Sequence, residues 1–386
     1  MTPKSAITCL KFSLFALFLL LFQTVFSQDK FSSLDQWMQD NLKAIGGRAV
    51  LMVWKDGKVV YSNAMNEMSG KQKMIGKFIA KRKGLDSKEL LKDFDEDIRQ
   101  RVASCSKWFS AALVMTFVDE GKLKLDDTVG KFLPVMTANG KGNITIWQCL
   151  SHLTGIQAGS LRESIENINK TQNMEEAINM MAALPMEGEP GKTFHYSNAG
   201  LQIAAGVIEK ISGKDFETLF AERICKPIGL KQTDFGKKNV PLAAGGAWST
   251  PTEYLKFLQM ILNEGEYNGK RILSKESVIA MQKNYVAKDA KIAYSPAEAG
   301  NWGYGFGEWV MDLTPALSSK GEGEIPVSER SKAVTSPGLL GTFPWVDNER
   351  KYCAILFTMN INNKGRGERY KALKGLIDKV VEKISP

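Results

Sequence analysis

Residues 103–118 read ASCSKWFSAALVMTFV. Nearly every residue after Lys107 is apolar, which predicts a helix that is buried on all sides. Ser104 and Lys107 are three residues apart at its start, so a helix would place a hydroxyl and an amine on one face, one turn apart. The chain has only two histidines, His152 and His195. A serine nucleophile in this protein would therefore take its base from Lys107 rather than from an imidazole.

Composition limits the classes of protein to consider. The 386 residues are 44% hydrophobic and 24% charged, as in soluble globular proteins. With no CxxC pair and two histidines, we expect no zinc site and no cofactor. No nucleic-acid-binding motif is recognisable, so nucleic acid is not an expected partner. Beyond residue 28 the cysteines are widely spaced and are expected to be mostly buried free thiols: Cys105, Cys149, Cys225 and Cys353.

The first 27 residues have the pattern of a secretory signal peptide. Lys4 and Lys11 precede an apolar run over residues 12–26, which is shorter than the roughly 20 residues of a membrane span. We predict cleavage near Ser27 and an exported mature chain, periplasmic or extracellular. An uncleaved anchor helix is the alternative. Residues 28–386 are expected to form a single domain.

A charged insertion is predicted over about residues 66–99. Six basic residues fall within residues 71–83, a stretch that contains no acid: Lys71, Lys73, Lys77, Lys81, Arg82 and Lys83. An acidic patch at residues 93–97 follows. One interpretation is contact with an anionic cell envelope through Lys71–Lys83. The preferred interpretation is a solvated helical insertion whose charges offset each other.

Strands are predicted near both ends of the chain and helices between them. Residues 48–54 and 59–62 flank an Asp56-Gly57 turn, which is a hairpin pattern. Late strands are predicted over 304–310, 341–346 and 352–359, followed by a helix over 366–384. Helical periodicity occupies the middle: 146–152, 174–183, 199–211, 216–224, 251–263 and 275–283.

This order predicts an α/β fold, more narrowly α+β. One antiparallel sheet would be built from both chain ends, flanked by helices, with a mainly helical subdomain inserted. The α/β part would comprise about residues 28–110 and 300–386, and the helical part about 111–299.

Tyr196-Ser197-Asn198 is the second candidate site. The same triplet occurs at Tyr61-Ser62-Asn63, but Tyr61 lies at the end of a predicted hairpin strand, where an aromatic residue is ordinary. Tyr196 instead follows a Gly-Pro loop and precedes the helix from Ala199. Functional residues are common on such loops.

Five passages together resemble the serine β-lactamase and penicillin-binding protein superfamily, and most closely its class C β-lactamase, DD-peptidase and esterase branch. They are ASCSKWFSAALVMTFVDEGKLKLDDTV (103–129), ITIWQCLSHLTGI (144–156), PGKTFHYSNAGLQIAAGVIEKISG (190–213), GGAWSTPTEYLKFLQMIL (245–262) and SPGLLGTFPWVD (336–347). The resemblance implies the β-lactamase/transpeptidase-like fold. It implies Ser104 as nucleophile, Lys107 as base, Tyr196 as a second base and proton donor, and Asn198 as a substrate ligand.

The third motif departs from that pattern. Relatives often carry Lys-Thr-Gly or His-Thr-Gly where this chain has Ser336-Pro337-Gly338. Gly338 would let a substrate approach the strand, the N–H of Leu339 would serve the oxyanion hole, and Pro337 suits an edge strand. The basic side chain that would hold a substrate carboxylate is missing, and Lys332 or Arg330 are the candidates to replace it.

We therefore expect an exported serine hydrolase acting on a small-molecule or peptide substrate: a β-lactam, a D-amino-acid peptide or a small ester. A catalytically weak penicillin-binding or sensing protein of the same fold is the first alternative. A structural envelope protein that uses the basic insertion is the second. His152 is interpreted as a structural residue, and His195 is expected to face away from the site.

Overall fold

An antiparallel sheet joins the two ends of the chain. The computed structural model describes residues 30–84, 86–236, 238–311 and 330–384, so the proposed signal peptide lies outside the described residues. The main sheet has the order β2-β1-β13-β12-β11-β10-β9. The strands are Arg48–Lys55 (β1), Lys58–Asn66 (β2), Gln100–Arg101 (β3), Thr193–His195 (β4), Trp248–Ser249 (β5), Glu266–Tyr267 (β6), Lys270–Arg271 (β7), Lys291–Tyr294 (β8), Gly303–Tyr304 (β9), Trp309–Val310 (β10), Ala333–Thr335 (β11), Phe343–Asp347 (β12) and Tyr352–Thr358 (β13).

Helices cover both faces of this sheet and form the middle of the chain. They are residues 30–41 (α1), Gly70–Lys83 (α2), Ser87–Leu90 (α3), Ser106–Asp119 (α4), Pro134–Ala138 (α5), Ile146–Leu150 (α6), Leu161–Ile168 (α7), Met174–Ala183 (α8), Ala199–Ser212 (α9), Phe216–Phe220 (α10), Lys226–Ile228 (α11), Pro251–Leu262 (α12), Lys275–Met281 (α13) and Arg366–Ile384 (α14). The predicted fold class is confirmed: the sheet is antiparallel, built from both ends, and the helical part is inserted between them. Within the described ranges no helix is long and apolar enough to cross a bilayer.

The central strands are buried on both faces because alternate residues point into two different cores. Val50 and Met52 of β1 pack into the larger core, with α4 and α12. Ala49, Leu51 and Val53 pack on the other face, against α1 and α14. The four predicted free thiols are confirmed, and all are buried.

The late aromatic strand predicted over 304–310 is wrong in one respect. It is a short hairpin, β9 and β10, and residues 305–308 form its turn. Gly307 has φ +74°, and a Cβ there would lie 2.4 Å from the Lys107 carbonyl oxygen. The turn therefore packs directly on the first turn of α4, where only glycine fits.

The predicted helix over 216–224 also differs from the structure. The α-helical part ends at Phe220 and continues as one wide π-type turn, Ala221–Cys225.

Pro337 does not lie on an edge strand. β11 ends at Thr335 and is paired on both sides, with β10 and β12.

Candidate active site

Ser104 and Lys107 meet at the start of the buried helix. Residues 103–105 form a 3₁₀ turn and α4 begins at Ser106. The Lys107 Nζ donates to Ser104 Oγ at 3.2 Å and to the Ala244 carbonyl oxygen at 2.8 Å. Lys107 itself is fully buried. The hydroxyl and the amine predicted to lie one turn apart are therefore in hydrogen-bonding contact.

This turn is held from outside the helix. The Ser106 hydroxyl donates to the Ala103 carbonyl oxygen and accepts the Ala247 N–H at 2.9 Å. Tyr254 donates its hydroxyl to the Cys105 carbonyl oxygen at 2.9 Å. Ala103 has φ +49°, a left-handed conformation that costs free energy for a residue with a Cβ. The surrounding hydrogen bonds stabilise this strained backbone next to Ser104.

Burial makes Lys107 a weak base that is largely unprotonated above neutral pH. Removal from water lowers its pKa from 10.5 to about 7. Its hydrogen-bond partners are a hydroxyl and a carbonyl oxygen, so neither carries the negative charge that would restore an ordinary lysine pKa. At neutral pH a substantial fraction of the amine is therefore uncharged and can accept a proton.

Tyr196 completes the cluster. Its ring centroid lies 4.6 Å from the Lys107 Nζ, and the Ser104 side chain is near enough to its hydroxyl to lower the pKa of the phenol, against the larger raising effect of burial. Burial raises its pKa, so the phenol keeps its proton at neutral pH. The rings of Trp309 and His152 lie 5.1 Å and 4.7 Å from the Tyr196 ring and fix its orientation.

The Tyr196 loop is positioned by strand pairing. β4 pairs in parallel with β8, and the N–H of Tyr196 donates to the Tyr294 carbonyl oxygen at 3.0 Å. Asn198 has helical dihedral angles (φ −92°, ψ −14°) at the cap of α9, and its amide donates to the Ser164 hydroxyl at 3.2 Å. Asn198 is buried.

The third motif lies against Ser104 through a neutral side chain. The Ser336 hydroxyl contacts the carbonyl oxygens of Gly307, at 2.8 Å, and Ser104, at 3.4 Å. A Cβ on Gly338 would lie 2.4 Å from the Val102 carbonyl oxygen, so this glycine makes room for the backbone before Ser104. That is a different role from the predicted approach of substrate to a strand. Leu339 is 45% exposed.

Neither basic candidate for this motif is free to hold a substrate. Arg330 donates to Gln282 at 2.6 Å, pairs with Glu264 at 3.2 Å, and contacts carbonyl oxygens at the end of α12. Lys332 pairs with Glu349 at 2.7 Å. The carboxylate-binding role suggested for these two residues is therefore not supported by their contacts.

The two histidines have structural contacts. His152 is buried, and its Nε2 lies 3.1 Å from the Tyr304 hydroxyl. Burial, with the nearby Lys107 charge second, holds its pKa well below 6.5, so it is neutral. His195 Nδ1 lies 2.5 Å from a Glu187 carboxylate oxygen, and the His195 ring is tilted against that of Tyr294 with centroids 5.6 Å apart. The sequence does not reveal the Ala244 carbonyl oxygen as a hydrogen-bond partner of Lys107, because a backbone oxygen is present whatever the residue type.

The family of the chain follows from this arrangement together with the sequence comparison. The profile of the family described as Beta-lactamase matches residues 34–376. The chain belongs to the Beta-lactamase family. The predicted membership of the serine β-lactamase and penicillin-binding protein superfamily is confirmed.

Relatives of this family member have several described activities. D-alanyl-D-alanine-carboxypeptidase/endopeptidase AmpH of Escherichia coli is 25% identical over 215 residues, which is 49% of this chain and 55% of AmpH. A putative β-lactamase structure from Bacteroides dorei is 25% identical with a TM-score of 0.72, covering 91% of this chain and 99% of its own. EstCE1, a hydrolase with promiscuous acyltransferase activity, shares the fold at 18% identity and a TM-score of 0.70, covering 92% and 99%.

Proposed function

We propose that this Beta-lactamase family protein is an exported serine hydrolase that forms an acyl-enzyme on Ser104. The observation that carries the proposal is the buried Lys107 amine, 3.2 Å from Ser104 Oγ, whose pKa is lowered to about 7. A hydroxyl becomes a useful nucleophile when an adjacent uncharged base can accept its proton. Serine hydrolase chemistry is the common property of the superfamily.

The reaction has two halves. As Ser104 Oγ attacks the substrate carbonyl carbon, its proton moves to the Lys107 Nζ. The tetrahedral intermediate collapses when the leaving group takes the Tyr196 hydroxyl proton, and the Lys107 ammonium then reprotonates Tyr196. Water releases the acyl group by the reverse proton movements. The backbone N–H groups of Ser104 and Leu339 are the proposed donors to the oxyanion.

The proposed preference is for a substrate without a carboxylate, such as a small ester. Ser336 is neutral, Leu339 is apolar, and both Arg330 and Lys332 are paired elsewhere. A buried cation would be needed to compensate a buried carboxylate. The absence of a basic side chain at the third motif also motivates the alternative, a catalytically weak penicillin-binding or sensing protein. The AmpH relationship keeps D-amino-acid peptides among the substrates to test.

The test is incubation of the chain from residue 28 onward with a p-nitrophenyl ester, a fluorescent penicillin and a D-Ala-D-Ala peptide. Turnover and the mass of any covalent adduct are measured for each. We expect ester turnover at a kcat/KM at least about 100-fold above that for the two carboxylate substrates, as a desolvated charge without a partner costs several kcal/mol. Stable penicillin labelling without turnover would favour the sensing protein. The absence of both turnover and a covalent adduct with all three substrates would contradict the hydrolase proposal.

Matched variants identify the nucleophile. Ser104→Ala should abolish the adduct and turnover, whereas Ser62→Ala should retain both, because Ser62 belongs to the duplicate Tyr-Ser-Asn triplet and is exposed on β2. Full activity in Ser104→Ala would refute the assignment. Export is tested separately: the amino terminus of protein recovered from the periplasm or medium should lie near Gln28.

A further inference from the structure

Helix α2 exposes an unusual apolar surface. Four large side chains on this helix are solvent-accessible: Met74 (66%), Ile75 (45%), Phe78 (66%) and Ile79 (40%). Their positions i, i+1, i+4 and i+5 place them side by side as one stripe. Contiguous exposed apolar groups on a soluble protein commonly mark an interaction site. We refer to these four residues as the α2 stripe.

The opposite side of α2 is the one that packs on the protein. Gln72, Gly76 and Ala80 are less exposed than the stripe, and Ala80 is fully buried. A Cβ on Gly76 would lie 2.5 Å from Leu91, so the helix is in close contact there. The Gln72 amide oxygen also lies near Gly47, at the start of β1. The α2 stripe is therefore the outer face of a helix that is fixed in place.

Cations surround the stripe. Lys71 precedes it by one turn, Arg82 follows it by one turn, and Lys73, Lys77 and Lys81 lie along the adjoining face, all of them exposed. No acidic residue occurs between Lys71 and Arg82. Lysine and arginine can extend their charges toward headgroups while their alkyl parts and the neighbouring apolar groups are buried. Apolar side chains bordered by cations on the exposed side of a helix can therefore contact the interface of an anionic bilayer.

The positive charges around the α2 stripe also argue against partners other than a bilayer. In a two-fold dimer through α2, the same five cations would face each other across the interface, which is unfavourable. A soluble anionic polymer would satisfy the cations but would leave Met74 and Phe78 in water. A bilayer with anionic lipids satisfies both, because the headgroups attract the cations and the acyl chains bury the apolar side chains.

The helix starts from the end of the sheet at which the active-site turn lies. Arg48 of β1 pairs with Asn66, the last residue of β2, and Ala49 pairs with Thr358. The N–H of Asn360 then donates to the Leu340 carbonyl oxygen at 2.7 Å, next to the Ser336–Leu339 turn.

We propose that α2 docks this protein onto an anionic lipid bilayer surface, with the α2 stripe buried among the acyl chains and the flanking cations at the headgroups.

Vesicle binding tests the proposal. The chain from residue 28 onward contains every described element, so it is mixed with phosphatidylcholine vesicles containing 0 or 30% phosphatidylglycerol (about 30% suffices for a strong negative potential), and bound protein is measured by sedimentation. We expect binding only to the anionic vesicles, weakening as salt rises. Met74→Gln with Phe78→Gln, and separately Lys73→Glu with Lys77→Glu and Lys81→Glu, should each weaken binding at least about tenfold.

Matched controls separate docking from general charge and folding. Lys371→Glu with Lys379→Glu and Lys383→Glu makes the same charge change on the exposed face of α14 and should retain most of the binding. All these variants should hydrolyse a soluble ester as the parent does. Equal loss in the α14 variant, or no loss in the α2 variants, would overturn the proposal. Dimer formation that depends on α2, without vesicle binding, would also overturn it. So would binding to a soluble polyanion that is as strong as binding to vesicles and is retained in Phe78→Gln.

A spectroscopic readout locates the contact. Because the cysteines beyond residue 28 are buried, Phe78→Cys can be labelled selectively with an environment-sensitive fluorophore. Its emission should shift to the blue on anionic vesicles. The same label at Val59→Cys, an exposed apolar position at the other end of the β1–β2 hairpin, should not shift. A shift at position 59 alone would contradict docking through α2.

Discussion

Among single residues, the one on which the proposed chemistry depends is a buried amine. Lys107 is buried against Ser104, the Ala244 carbonyl and the Tyr196 ring. Burial lowers its pKa to about 7, while burial raises that of Tyr196. The two groups are therefore suited to opposite tasks, the amine as proton acceptor and the phenol as proton donor.

Activity should titrate with Lys107. In the proposed mechanism the uncharged amine is the reactive form, so kcat/KM for a neutral ester should fall about tenfold per pH unit below pH 7 and level off above it. A profile measured from pH 5 to 9 checks this. Lys107→Arg should be inactive throughout, because a guanidinium stays protonated. Lys141→Arg, at another buried lysine that bonds to a carbonyl, should keep the parent profile. A rise centred near pH 4 to 5 would point to a carboxylate base instead.

Removal of the Tyr196 hydroxyl tests the proton donor. Tyr196→Phe keeps the ring packing on Trp309 and His152 but loses the contact with Ser104. We expect kcat to fall by about 10²–10⁴, typical of a lost general acid–base group, with little change in thermal stability. Tyr61→Phe, in the duplicate triplet, is the control and should leave kcat unchanged. Loss of activity in both variants alike would contradict the assignment.

At the scale of elements, the turn after β11 fits against the start of α4 because of one glycine. Gly338 has no room for a Cβ beside the Val102 carbonyl oxygen, at 2.4 Å, or beside Cys105 Sγ, at 3.1 Å. A side chain here must move the Ser336–Leu339 turn or the strained backbone at Ala103.

Gly338→Ala should therefore reduce activity more than it reduces stability. We expect destabilisation of about 1–3 kcal/mol and a fall in kcat/KM of at least about tenfold from the displaced oxyanion donors. Denaturant unfolding and ester kinetics measure the two effects. Gly375→Ala, in the interior of α14 with nothing within 4 Å of its Cβ position, should leave kcat/KM unchanged. Unchanged kinetics in Gly338→Ala would show that the turn does not position the site.

At the scale of the whole molecule, two cores share one sheet, and a buried acid lies beside the larger one. Glu308 precedes β10 in the turn that packs on α4 and is fully buried. Neither of its carboxyl oxygens has a hydrogen-bond partner among the described residues. Burial raises its pKa well above 4.5, against a smaller opposing effect of Arg330. The folded protein therefore holds a proton that the unfolded chain releases.

This difference makes the stability depend on pH. Above about pH 4.5 the unfolded state loses the Glu308 proton first, so stability should fall by up to about 1.4 kcal/mol per pH unit until the folded pKa is reached. Glu308→Gln should remove this contribution and raise the melting temperature relative to the parent at pH 8, with little difference near pH 4. Melting curves across this range check it. Glu253→Gln is the contrast, because Glu253 accepts several hydrogen bonds and its loss should destabilise at neutral pH. A melting-temperature difference between Glu308→Gln and the parent that stays constant across this pH range would contradict the account.

Features that depend on local geometry can be read from the amino-acid sequence. The spacing of Ser104 and Lys107 on a helical face, the bounds of α8 and α14, the β1–β2 hairpin and the sheet drawn from both ends are all readable from short-range patterns. Turns at Gly307 and Gly338 were not readable, because their conformation is set by contact with α4, far along the chain.

Whether the predicted groups meet in one site depends on long-range packing. The fold brings Tyr196 to Ser104 and buries Lys107 beneath both, and desolvation by those distant segments is what lowers the lysine pKa. It also pairs Arg330 and Lys332 away from the third motif and leaves the apolar residues of α2 facing outward. Burial and charge pairing depend on segments remote in sequence, so the residue types alone did not reveal them.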